Sequence, residues 1–60
     1  MSFKVFLKEN LIMDKVLLVK ANEYGVALKD DFGVTKIIEK VYISEVDGYR
    51  YFIVLDYLEK

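Results

Sequence analysis

The chain has 60 residues, 55% of them apolar and 32% charged, with nine basic and ten acidic side chains and a net charge of −1. That apolar content excludes disorder, the absence of cysteine excludes a disulfide framework, and the absence of histidine leaves zinc only carboxylates, which is not how structural zinc is held. One domain, residues 1–60, must therefore fold on a core that supplies roughly 3–5 kcal/mol, or gain support from a second chain.

Residues 3 to 8, "FKVFLK", set Phe3, Val5 and Leu7 on one side and Lys4 and Lys8 on the other, the period-two pattern of a half-buried strand. "KVLLVK" at 15 to 20 and "GVALK" from Gly25 are short apolar runs joined by "NEYG", which predicts a hairpin. The same region, 10 to 24, also reads as one helix capped at Asn10 and ended at Gly25. After the "DDFG" turn, residues 34 to 46 carry apolar groups at helical spacing. Their Val, Thr, Ile and Tyr content favours a strand instead. As a strand, the pairs Ile37-Ile38 and Glu39-Lys40 break the alternation, so a bulge or bend is expected there.

The last stretch, "KVYISEVDGYRYFIVLDY", centres on Asp47-Gly48, a dipeptide suited to a two-residue type I′ hairpin turn. Counting outward places Val46 opposite Tyr49, Glu45 opposite Arg50, Ile43 opposite Phe52 and Val41 opposite Val54. In that register Glu45, Asp47, Gly48 and Arg50 define the hairpin. One face then carries Val41, Ile43, Phe52 and Val54, and the other Tyr42, Val46, Tyr49, Tyr51, Ile53 and Leu55. The aliphatic face is expected to be core. The tyrosine face is expected to meet a partner, because tyrosine is enriched where a surface is buried yet partly wet.

The predicted fold is mainly β: a small antiparallel sheet or partly open five-stranded barrel, with the size and strand rhythm of SH3-like and Sm-like barrels. Its strands lie near 3 to 8, 15 to 20, 25 to 30, 34 to 46 and 49 to 57. The alternative is α+β, with one helix at 10–24 or 34–46.

Catalysis finds little to work with. The only hydroxyls apart from tyrosine are Ser2, Thr35 and Ser44, no histidine can serve as their base, and there is no phosphate loop or calcium loop. Neither a metal nor another cofactor is expected. The adjacent acids Asp30-Asp31 read as a solvated turn. No run exceeds five uncharged residues, so a membrane helix is excluded. With no leader-like segment, a cytoplasmic protein is expected. The function that remains is a non-enzymatic protein-binding module, a small regulator or inhibitor that self-associates through its tyrosine face. The alternative is a nucleic-acid-binding barrel that stacks bases on Tyr42, Tyr49 and Tyr51 beside Arg50, against which stand Glu39, Glu45, Asp47 and Asp56 in the same segment.

Overall fold

The computed structural model describes residues 1 to 59. Six strands follow one another: β1 (Phe3–Leu7), β2 (Asn10–Asn22), β3 (Gly25–Asp30), β4 (Thr35–Glu39), β5 (Val41–Asp47) and β6 (Phe52–Tyr57). They form one sheet in the order β4-β3-β2-β1-β6-β5, with every neighbouring pair antiparallel except β1 and β6, which run parallel. The end strands β4 and β5 are not paired with each other, so the sheet curls without closing into a barrel. The mainly β expectation holds, and the alternative helix at 10–24 or 34–46 does not form among the described residues. No helix among the described residues is long and apolar enough to cross a membrane.

The strand expected over 34 to 46 divides at Lys40, where the broken alternation had placed a bend. Lys40 takes φ 62°, its amide donates to the Tyr24 carbonyl (2.9 Å), and its carbonyl accepts from the Leu58 amide (3.0 Å). The divided strand thus supplies both edges of the sheet and accounts for six strands where five were expected. Lys8, Lys15 and Tyr51 also lie in the left-handed region, at φ 56°, 54° and 58°. Each such non-glycine residue costs about 1 kcal/mol or more. Lys15 marks a kink in β2, which is longer than expected. Before the kink β2 pairs with β1 alone, and from Val16 onward it pairs chiefly with β3.

Three turns share one local device. Asn22 Oδ1 accepts the amides of Tyr24 and Gly25 (2.8 and 3.2 Å), and Asp30 Oδ1 those of Phe32 and Val34 (2.9 Å each). Asp47 Oδ1 accepts those of Tyr49 and Arg50 (2.8 and 2.9 Å). A short side-chain oxygen replaces the partner that a turning backbone lacks.

The core collects one or two side chains from every strand but β4: Val5, Val16, Val26, Leu28, Val41, Ile53 and Leu55, all 5% exposed or less. Phe3, Leu7, Ile12, Met13, Val19, Ile38 and Ile43 pack around it. The curl brings β3 against β5, although three strands separate them in the order. No charged or polar residue among those described is buried.

The hairpin register differs from the expected one. Asp47 pairs with Phe52, leaving Gly48 to Tyr51 as a four-residue loop, and Val46 pairs with Ile53 and Glu45 with Val54. A bulge at Ser44 then sets Ile43 opposite Leu55 and Val41 opposite Tyr57. Gly48 does not have positive φ; Tyr51 does. The type I′ turn is therefore replaced by a loop that the Asp47 carboxylate caps and Tyr51 closes. This register turns Ile53 and Leu55 inward and lets β6 pair along its other edge with β1, Val5 beside Ile53 and Leu7 beside Leu55.

The Arg50 amide, above all, holds the Asp47 carboxyl below the usual carboxylate range, helped by the Tyr49 amide and the Arg50 guanidinium. A depressed folded pKa stabilises the fold above the unfolded value near 3.9 and ceases to do so as pH falls through the folded value. Asp47→Ala is therefore expected to lower the melting temperature at pH 7 and to give a shallower acid limb below about pH 4. Thermal melts by circular dichroism at several pH values check both. Equal melts for the two proteins at pH 7 would remove the capping role.

Candidate functional site: the outer face of β1 and β6

Because Val5, Ile53 and Leu55 point into the core, their strand neighbours Lys4, Phe6, Phe52, Val54 and Asp56 point out. The parallel register sets Lys4 beside Phe52 and Phe6 beside Val54. Across β1, Leu11 lies opposite Phe6, and across β6, Tyr42 lies opposite Asp56. The result is an external apolar cluster with Phe6, Phe52 and Val54, all half-buried, at its centre. The two phenyl rings meet edge to face with centroids 6.2 Å apart. The Arg50 guanidinium stands 5.8 Å over the Phe52 ring.

The three ion pairs among the described residues surround this cluster. Lys4 Nζ lies 3.3 Å from Asp14, Lys8 Nζ 4.0 Å from Asp56, and Arg50 Nε 3.2 Å from Asp47. The Lys15 amide, and after it the Lys4 ammonium, hold the Asp14 carboxyl below its ordinary range. Exposed pairs of this kind add little to stability. Here they make a polar rim with no net charge around an aromatic centre, the anatomy of a protein interface.

The residues expected to form a tyrosine face do not share one. Ile53 and Leu55 are core, 5% and 0% exposed. Tyr51 sits in the loop with its ring edge-on to Phe3, centroids 5.5 Å apart. Tyr49 is at the loop tip, 97% exposed, and Val46 and Tyr42 lie exposed on the edge strand β5. Of the six, Tyr42 alone borders the cluster. Glu45 faces Val54 rather than Arg50, which pairs instead with Asp47. The expected inner pair Phe52 and Val54 is what the register turns outward. Phe6 was the readable signal for this face: a lone aromatic on the lysine side of "FKVFLK".

The fold has a solved counterpart. The crystal structure of a protein provisionally named CooT, from Carboxydothermus hydrogenoformans, superimposes with a TM-score of 0.84 at 25% sequence identity. The match covers 98% of this chain and 100% of that one. No protein-family model and no curated protein matches the chain. Among the described residues no three carboxylates gather as metal ligands would.

Proposed function

We infer that this chain is a small non-catalytic accessory protein that acts by occupying a protein surface, as a regulator or inhibitor, and that copies of it associate through the outer face of β1 and β6. The observation that carries this reading is the cluster of Phe6, Phe52 and Val54 enclosed by three ion pairs. Aromatic groups kept at the surface of a chain with so little core serve recognition better than folding. A match spanning the whole of the protein provisionally named CooT supports a small accessory role. The nucleic-acid alternative loses weight on the same face: Lys4, Lys8 and Arg50 are each paired with an aspartate, and phosphate contacts need cations without such partners.

The test is sedimentation of the wild type beside Phe52→Lys and Phe6→Lys at tens of micromolar. The wild type is expected to sediment as a dimer and both variants as monomers, with β-sheet circular dichroism unchanged because both side chains lie outside the core. A monomeric wild type would remove self-association, and dimers that survive both substitutions would move the contact elsewhere.

A further inference from the structure

A second feature lies on the outer side of the other half of the sheet. The registers of β2, β3 and β4 place three rows side by side: Leu18, Lys29 and Thr35; Lys20, Ala27 and Ile37; Asn22, Gly25 and Glu39. The middle strand thus presents Gly25 and Ala27, the smallest side chains available, between longer neighbours. The surface is hollow above them. Two adjoining depressions of about 260 and 240 Å³ share Lys20 and Ala27 in their lining. Ile37, 68% exposed, and Leu18, 42% exposed, supply apolar walls.

The charges are unevenly placed. Lys29 stands at one end of this groove and Lys20 beside it in the middle row, and neither makes an ion pair among the described residues, unlike Lys4, Lys8 and Arg50. Glu39 stands at the other end. An occupant that matches these features carries a carboxylate over Lys20 and Lys29 and an apolar side chain over Ala27 and Ile37. Each depression alone is smaller than the ~300–1,000 Å³ of pockets that enclose small ligands. An extended peptide suits the dimensions better: its alternate side chains repeat every ~6.6 Å, the spacing of the rows along β3.

We propose that the groove over Gly25 and Ala27 binds a short extended segment of a partner protein in which an acidic and an apolar residue stand two positions apart, so that both face the groove. This goes beyond the association of copies and rests on the reading of the chain as a protein-binding module. The probe is a capped hexapeptide with glutamate and leucine two positions apart and serine at the positions between them, with lysine in place of the glutamate in its twin, titrated into ¹⁵N-labelled protein. The acidic peptide is expected to shift the amide signals of Leu18, Ala27, Lys29 and Ile37, less so as salt rises, and the basic twin to leave them in place. Lys20→Glu with Lys29→Glu, both exposed and outside the core, is expected to weaken the acidic peptide at least tenfold and to admit the basic one. No shift at millimolar acidic peptide, an equal response to both peptides, or indifference to the double charge reversal would each overturn the proposal. Repeating the titration on Phe52→Lys separates the two surfaces. The groove is expected to respond unchanged in that variant, and a response lost there would overturn its independence from the outer face of β1 and β6.

Discussion

Replacing Gly25 by alanine is expected to leave the chain unfolded at 25 °C. Gly25 opens β3 at φ +158° and pairs with Asn22 on one side and Glu39 on the other. A Cβ at this position would overlap the Ile38 carbonyl oxygen and lie 2.9 Å from the Glu39 Cα. Both obstacles are backbone, so no side chain can swing away, and relief requires β4 to leave β3. Strained backbone and forced overlap together cost about 3–5 kcal/mol, as much as a core of this size supplies. Gly33→Ala is the matching control. Gly33 also has positive φ, 86°, but an added methyl there meets nothing within 4 Å, so only the conformational cost of about 1 kcal/mol remains. Circular dichroism and thermal melts distinguish the two variants. A Gly25→Ala protein that melts within a few degrees of the wild type would show that β4 is not held against β3 as described.

The second large effect belongs to Leu28. Its side chain is 1% exposed at the centre of β3 and lies among the largest fully buried side chains. Leu28→Ala removes its contacts and leaves a cavity, a loss of about 2–5 kcal/mol. Leu28 belongs to the buried cluster that Val5, Val16, Val41, Ile53 and Leu55 complete from the other strands, so its loss is felt across the whole curled sheet. Urea denaturation is expected to show little or no folded baseline for this variant. Two substitutions keep the expectation measurable if it does not fold. Ile53→Val, at a 5% exposed site, should cost about 0.5–1.5 kcal/mol. Leu17→Ala, at 59% exposure, should stay within about 0.5 kcal/mol of the wild type. Equal midpoints for Leu17→Ala and Leu28→Ala would contradict the assignment of the core.

The candidate site was less legible than the fold, and one hairpin shows why. Asp47-Gly48 has the composition of a type I′ turn, and within the isolated segment its register satisfies Glu45 and Arg50. What the segment does not contain is β1. Once β6 pairs with β1 as well as β5, Ile53 and Leu55 must face the same core as Val5 and Leu7. The loop then lengthens to four residues, with Tyr51 left-handed. That loop moves the pairing by four residues, which keeps the faces, and the bulge at Ser44 makes the shift three, so that beyond it Val41 and Ile43 share their face with the other set of β6 side chains. That is how Phe52 and Val54, expected inside, became the external cluster, and how Ile53 and Leu55 left the surface.

The sequence by itself determined most of the elements: β-branched and aromatic content favoured a strand over a helix at 34–46, while 10–24 stayed open between the two, Asn22, Asp30 and Asp47 marked three turns, and the broken alternation at Glu39-Lys40 marked the bend. These are local properties, decided within a few residues by side-chain freedom and by the hydrogen bonds a turning backbone lacks. Only the tertiary structure decided the parallel pairing of β1 with β6, the hairpin register and therefore which faces remain outside. Those depend on contacts between residues some fifty positions apart, such as Val5 with Ile53, whose burial outweighs the turn preference of a single dipeptide.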